Sequence, residues 1–176
     1  MLKKGVVVYA SKYGATERYA KWLAQETGFD CMKAKSADIK EISGYDVIIF
    51  GGGIYASGIA GISFLKKNYA AVRDKAVAVF CVGASPYDEA ALKQIVDHNF
   101  KGAFQGIRCF YCRGAWDEER MTFTDRTLCR MLQRAVSKKD PSSYEIWEKA
   151  LMSAVGQKQD WTDRKYLAPI LRWIDG

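Results

Sequence analysis

Histidine is almost absent from this chain, since His98 is the one example among 176 residues. Mixed cysteine–histidine zinc sites and histidine-based acid–base catalysis therefore have little to draw on, and we expect no metal site. The chain has 3 prolines and 15 glycines, too few for a collagen-like or low-complexity protein. His98 itself is expected to lie at the end of a surface helix.

Long apolar segments are missing as well. No run reaches the roughly 18 residues that a membrane-spanning helix needs. The N-terminal "MLKK" leads directly into a strand-like run, so we expect no signal peptide and a cytoplasmic location. Hydrophobic residues nevertheless make up 49% of the chain, which suits one compact domain spanning residues 1–176.

The cysteines show no disulfide-framework spacing, and their number is odd. They are Cys31, Cys81, Cys109, Cys112 and Cys129. Cys109 and Cys112 have the CxxC spacing of redox and metal sites, but they lie in a strand-like run whose alternation places them on opposite faces. We interpret them as small buried hydrophobic residues, with redox or metal chemistry as the alternative.

Positive charge is concentrated in one part of the chain. Of the net charge of +7, residues 108–139 contribute +4, from eight basic and four acidic side chains. This excess indicates either an ordinary solvated surface or a surface that binds something anionic. No nucleic-acid partner is expected.

Strand-like and helix-like segments alternate along the chain. Apolar strands are predicted at 4–10, 29–35, 45–53, 75–83 and 107–114, and helices at 16–28, 59–72, 85–100 and 160–174. This rhythm predicts an α/β fold with a doubly wound five-stranded parallel sheet in the order 2-1-3-4-5. The polar second strand is expected near an edge. The segment from about 115 to 158 is additional to the strands and helices that this fold requires, and it is predicted to form a helical insertion.

The turn after the first strand has the composition of a phosphate-binding loop. Its residues are Ser11, Lys12, Tyr13, Gly14, Ala15 and Thr16. A helix N-terminus offers unbonded N–H groups to an anion when the preceding residues are small. The pattern is neither a Walker A loop nor GxGxxG, so it favours a single terminal phosphate over a pyrophosphate. A merely tight β-to-α turn is the alternative.

This first segment resembles the flavodoxin signature. The matching positions are Val7, Val8, Tyr9, Ser11, Gly14, Thr16 and Ala20. The resemblance implies that the loop 11–16 binds the phosphate of FMN and that the segments 51–58 and 82–89 lie against the flavin ring. The lining residues that it implies are Gly52, Gly53, Ile54, Tyr55, Gly83, Ala84 and Ser85. Tyr55 and Tyr87 are candidates for stacking on the ring, with exposed loop tyrosines as the alternative.

The segment 120–136 forms an amphipathic helix on a helical wheel. Met121, Leu128, Met131 and Leu132 cluster on one side, whereas the arginines at 126, 130 and 134 lie on the other. Three arrangements suit this pattern: a helix at a membrane surface, a helix whose apolar face packs on its own domain, and a helix that binds a protein partner. Phe123 falls on the arginine side and fits neither of the first two cleanly.

Within the flavodoxin-like proteins, the chain most resembles the menaquinone-dependent protoporphyrinogen IX dehydrogenases. The similarity rests on "GGGIYASG" followed by "FLKK", on the arginine-rich segment 113–132 and on the terminal segment 160–174, while 138–158 matches little. It implies an FMN-dependent oxidoreductase with a small anionic substrate, a quinone or redox-protein partner and peripheral contact with the inner face of the membrane. The alternatives are a flavodoxin-type electron carrier and an FMN-dependent NAD(P)H:quinone reductase.

No residue is identified as a catalyst of proton transfer. Asp125 and Arg126, near the start of the insertion, are candidates for substrate contact, with a surface ion pair as the alternative. Arg113 ends the fifth strand beside the expected flavin edge, so it is the first candidate to bind an anionic substrate.

Overall fold

Five parallel strands form the centre of the protein. The structure is a computed structural model and describes residues 4–104 and 106–176. The strands are β1 (Gly5–Ala10), β2 (Asp30–Lys33), β3 (Val47–Tyr55), β5 (Ala76–Gly83) and β6 (Arg108–Arg113), in the spatial order β2-β1-β3-β5-β6. This is the predicted order 2-1-3-4-5, which is confirmed. The polar strand β2 lies at an edge of the sheet, as predicted.

The central strands are apolar on both faces because helices cover the sheet from both sides. In β1, Val6 and Val8 belong to one buried cluster, whereas Val7 and Tyr9 belong to the other. Successive side chains of a strand point to opposite faces, so a nearly continuous apolar run serves both clusters.

The helices divide between the two faces. On the face of Val7, the sheet is covered by α1 (Ala15–Thr27) and α7 (Ala168–Asp175), which bury Leu23 and Ile170. On the face of Val6, the covering helices are α2 (Ile39–Ile42), α3 (Ile62–Asn68) and α4 (Glu89–Asn99). His98 lies exposed in the last turn of α4.

Three predicted helices begin later than the sequence suggested, and one of them is α4, which begins at Glu89 instead of residue 85. The helix predicted at 59–72 is wrong in its first residues, because the short strand β4 (Gly58–Ile59) turns back antiparallel to the end of β3. The helix predicted at 160–174 begins only at Ala168, after a 3₁₀ turn at Arg164–Leu167. Pro169 is accommodated because the first turn of a helix does not need its N–H.

Cys109 and Cys112 contribute to different core clusters, so their placement on opposite faces is confirmed. The five cysteines are free thiols. Burial raises the pKa of the Cys112 thiol. A hydrogen bond with Cys109, together with burial, raises the pKa of the Cys81 thiol. Thiols with a raised pKa are poor nucleophiles, which favours the structural interpretation.

The additional segment after β6 is helical, as predicted, and also contains a two-stranded ribbon that was not predicted. The helices are α5 (Phe123–Val136) and α6 (Ile146–Ser153). The ribbon pairs β7 (Ala115–Asp117) antiparallel with β8 (Lys158–Asp160) and so joins the two ends of the insertion. Between the helices, the Lys139 ammonium forms an ion pair with the buried carboxylate of Glu148 at 2.5 Å.

Helix α5 packs by a different face from the one that its apolar residues define. Leu128, Met131 and Leu132 are exposed, whereas Gln133 and Val136 are buried. Of the three arrangements, the one in which the apolar face packs on its own domain is therefore wrong. The reason lies in polar pairing, because Gln133 Nε2 donates to Glu118 Oε1 at 2.9 Å and holds the helix by its other side. Among the residues that the structure describes, no helix combines the length and apolarity required to cross a bilayer.

Candidate functional site

The loop between β1 and α1 leaves the first turn of α1 open. Gly14 is the N-cap residue of α1 and adopts φ 100°, a conformation that a side chain would strain. Its N–H donates to Ser11 Oγ at 3.1 Å. Within the described residues, this N-terminus carries no side-chain cap. The loop therefore presents backbone N–H groups and a positive helix end, which together can bind an anion.

The side chains of Lys12 and Tyr13 turn away from the loop toward the insertion. The Lys12 ammonium and the Tyr13 hydroxyl both donate to the Asp125 carboxylate, and the Thr122 amide donates to Tyr13 Oη at 3.1 Å. These hydrogen bonds, first from Lys12 and then from Tyr13, hold the pKa of Asp125 below its usual value. The ion-pair interpretation of Asp125 is thus confirmed, with a partner 113 residues away.

Arg126, the neighbouring candidate, is engaged within the insertion. Its guanidinium donates to the backbone carbonyls of Glu118 at 2.8 Å, Glu119 at 2.8 Å and Met121 at 3.2 Å. These contacts close the turn that precedes α5, so its role is structural.

The second predicted loop is the end of β3 together with its hairpin. Gly52 has no room for a side chain, because a Cβ atom would lie 2.5 Å from both the Ala60 carbonyl oxygen and Ile59 Cγ2. The hairpin turns at Ala56 and Ser57, which both adopt positive φ (45° and 67°). Consecutive positive φ values are typical of the tight two-residue turn that matches strand twist.

Asn99, which the sequence analysis did not single out, holds this hairpin in place. It lies buried at the end of α4, where its Oδ1 accepts from the Ile59 N–H at 3.1 Å and its Nδ2 donates to the Ser57 carbonyl at 2.7 Å. A third bond, from Nδ2 to the Ile95 carbonyl at 2.8 Å, fixes the amide on its own helix. Little in the sequence indicated this role, because an asparagine at a helix end usually acts as a cap.

The third predicted loop follows β5 and is held from β6. The Tyr111 hydroxyl donates to the Ser85 carbonyl, Arg113 Nε donates to the Ala84 carbonyl at 3.0 Å, and the Gly114 N–H donates to Gly83 O at 2.7 Å. The Arg113 guanidinium also lies 4.2 Å from the centre of the Trp161 ring. Arg113 therefore positions the loop backbone, a role that the sequence did not predict.

The three loops lie at the same end of the sheet, because the carboxyl ends of parallel strands meet at one edge. The ring centres of Tyr13 and Tyr55 are 6.3 Å apart, which links the first loop to the second. A Cβ on Gly83 would lie 3.2 Å from Ile54 Cδ1, which links the second to the third. These two contacts place the second loop next to both the first and the third.

The two candidate stacking tyrosines differ in their surroundings. Burial raises the pKa of Tyr55 to about 12, although 39% of its surface remains exposed. Tyr87 is 56% exposed and lies 6.1 Å from Tyr111 between ring centres. Stacking on a flavin stays a prediction for each ring.

Comparison with known proteins agrees with this architecture. The crystal structure of the flavodoxin, WrbA-like protein from Agrobacterium tumefaciens is similar with a TM-score of 0.51 and 20% identity, over 74% of this chain and 92% of that one. An FMN complex of a flavoprotein from Lactobacillus acidophilus gives a TM-score of 0.44 and 16% identity, over 63% and 92% of the two chains. At 20% identity, the first of these likenesses concerns the fold alone.

No curated protein sequence matches the chain significantly. The model of the flavodoxin domain family, in contrast, matches residues 6–157, which include all three loops and most of the insertion. The chain therefore belongs to the flavodoxin domain family.

Proposed function

We propose that this protein binds FMN at the three loops and uses it as a quinone-coupled oxidoreductase. The observation that carries the proposal is the open N-terminus of α1 behind Gly14, in a family whose members share this fold. Residues at this position fit a phosphate monoester, because Gly14 opens the loop and Ser11 adds a hydroxyl.

Bound FMN would supply the electron transfer, and the protein's residues would bind and orient it. Ser11, Gly14 and Thr16 would hold the phosphate end. The peptides of Gly52, Gly53, Gly83, Ala84 and Ser85 would border the ring, with Ile54 and Tyr55 as its apolar neighbours. The hydrogen bonds from Asn99, Tyr111 and Arg113 support this assignment, because they fix the backbones of both ring loops.

We further propose an anionic, planar substrate of the protoporphyrinogen type and a quinone as the acceptor. Positive charge near the site supports this substrate class, since Arg113 borders the third loop and the segment 108–139 carries +4. An Arg113→Ala variant is expected to raise KM for an anionic substrate and also to weaken FMN binding, because Arg113 holds the Ala84 carbonyl of the third loop. KM is therefore measured with the protein saturated with FMN. An unchanged KM would contradict a role for Arg113 in substrate binding.

The insertion supports a proposal of peripheral contact with a membrane, where a quinone would be found. Leu128, Met131 and Leu132 form an exposed apolar face on α5. Arg130 and Arg134 border a groove beside this face that also contains Met152 and Val155. An apolar face flanked by arginines suits the boundary between lipid headgroups and acyl chains.

The direct test follows flavin and electrons in the purified protein. We expect FMN to bind and give a flavin spectrum, and the reduced flavin to be reoxidised rapidly by a menaquinone analogue. Failure to bind FMN would overturn the whole proposed function. Flavin that is reoxidised only by a redox-protein partner would instead favour an electron carrier. Reduction by NAD(P)H followed by quinone turnover would favour a nicotinamide-dependent quinone reductase.

A further inference from the structure

The start of α5 is attached to the loop 11–16 by three side chains and one backbone amide. The Asp125 carboxylate accepts from Lys12 and Tyr13, and the Thr122 amide donates to the Tyr13 hydroxyl oxygen. The Thr122 hydroxyl in turn accepts from the Asp125 amide at 3.3 Å and caps α5. The insertion and the candidate phosphate loop are therefore connected through a few polar groups.

Lys12 is the single charged residue of the segment 11–16, and its charge is already neutralised by the insertion. The Asp125 side chain is 23% exposed and that of Lys12 is 43% exposed, so water screens this pair only in part. The lowered pKa of Asp125 keeps its carboxylate ionised at neutral pH. A fixed negative charge therefore borders the loop in which a phosphate would bind.

A phosphate monoester at the start of α1 would meet this arrangement as a second anion. Like charges repel, and the Lys12 ammonium cannot serve both anions at full strength. We propose that Asp125 competes with the cofactor phosphate for Lys12, so that phosphate binding and attachment of α5 to the loop oppose each other. This inference rests on the proposed function and identifies Asp125 as a residue that regulates the same site.

The consequence of this competition reaches the ring side of the site. Lys12 Nζ lies 5.7 Å from the centre of the Tyr55 ring, and Tyr13 contacts the same ring edge to face. Release of Lys12 and Tyr13 from Asp125 therefore changes the surroundings of Tyr55. Because coupling between two binding events is reciprocal, weaker attachment of α5 must strengthen phosphate binding by the same factor.

An Asp125→Asn variant tests the competition, because asparagine keeps the size and an acceptor oxygen but removes the charge. We expect the Kd for FMN to fall about three- to tenfold, because the variant removes one partly screened negative charge that repels the phosphate. The Kd for riboflavin, which lacks the phosphate, is expected to change by a smaller factor than the Kd for FMN. Both are measured by the change in flavin fluorescence on titration, with Asp97→Asn as a control that removes an equal charge from the exposed Lys93–Asp97 pair.

Hydrogen exchange of the wild-type protein provides a second measurement. We expect amides of residues 122–128 to exchange faster with FMN bound than with riboflavin bound, because only FMN carries the competing anion. Exchange that is equal or slower with FMN would contradict the proposal.

The outcomes separate the two levels of inference. If the wild-type protein binds neither flavin, the proposed function itself fails. If it binds FMN but Asp125→Asn binds it equally or more weakly, or gains as much for riboflavin, the competition is wrong and the proposed function stands.

Discussion

At the scale of single residues, the hairpin after β3 depends on Asn99. Its amide satisfies the Ile59 N–H and the Ser57 carbonyl at once, and both bonds cross 40 or more positions of the sequence. A turn with two non-glycine residues at positive φ costs free energy, so its conformation needs support from outside. Asn99 provides that support from α4.

We predict that Asn99→Ala destabilises the protein by about 1–3 kcal/mol, because the Ile59 N–H loses its partner in a buried position. Equilibrium unfolding in urea measures this loss. Asn68→Ala is the matched control, since Asn68 makes one bond, to the Phe64 carbonyl of its own helix. A loss at Asn99 no greater than that at Asn68 would contradict the role of Asn99 as a clamp.

Local sequence predicted the residues of the three loops but not the residues that hold them. Gly14 was predictable, because a small residue at a strand-to-helix turn has a local physical meaning. Asn99, Thr122 and the pairing of Lys12 with Asp125 were not, because each contact joins positions that only the tertiary fold brings together. Side-chain type alone does not show which of many polar residues will meet.

At the scale of elements, the connection between α5 and α6 depends on the ion pair of Lys139 and Glu148. Glu148 is the partner of Lys139 and also accepts from the Glu145 N–H at 2.9 Å, which completes a capping box at the start of α6. These two interactions, first the Lys139 bond, lower the pKa of Glu148 from its usual 4.5. The carboxylate form is therefore favoured in the folded insertion.

A lowered pKa determines the sign of the pH dependence. The stabilisation is complete above pH 4.5 and is lost as the pH falls through the lower pKa of the folded state. We predict that acid loosens α6 in this range, and that Glu148→Gln loosens it severalfold at neutral pH, as measured by hydrogen exchange of residues 146–153. Asp97→Asn should leave this exchange unchanged. If acid loosened α6 in the Glu148→Gln variant as much as in the wild type, Glu148 would be excluded as the cause of the acid response.

The elements also show where periodicity suffices and where it does not. The strands were predicted well because burial on both faces demands continuous apolar runs. For α5 the apolar wheel left open which side of the helix packs on the protein, and in the structure it is the side of Gln133. The early start predicted for α3 failed because Ile59 pairs with Ile54 in a hairpin that Asn99 holds from 40 residues away.

At the scale of the whole molecule, exposed apolar surface and positive charge occur together. Of nine large hydrophobic residues that are exposed in the described part of the chain, seven lie between residues 123 and 155. The same segment carries Arg130, Arg134 and Lys138, for which the described residues provide no carboxylate partner within ion-pair distance. Self-association by a two-fold contact would bring these like charges together, which disfavours a dimer at this surface.

An anionic bilayer satisfies both features, so we predict binding to vesicles that contain acidic phospholipid. Replacing Leu128, Met131 and Leu132 by glutamine should weaken sedimentation with such vesicles about tenfold or more, because each buried side chain contributes about 1.5–3 kcal/mol when fully buried. Arg130→Gln with Arg134→Gln should weaken binding to acidic vesicles while leaving binding to neutral ones unchanged. Tyr87→Gln, at an exposed aromatic outside the insertion, is the control. Equal binding by all variants, or a concentration-dependent dimer of the wild type that the glutamine variant lacks, would instead assign this surface to a protein contact.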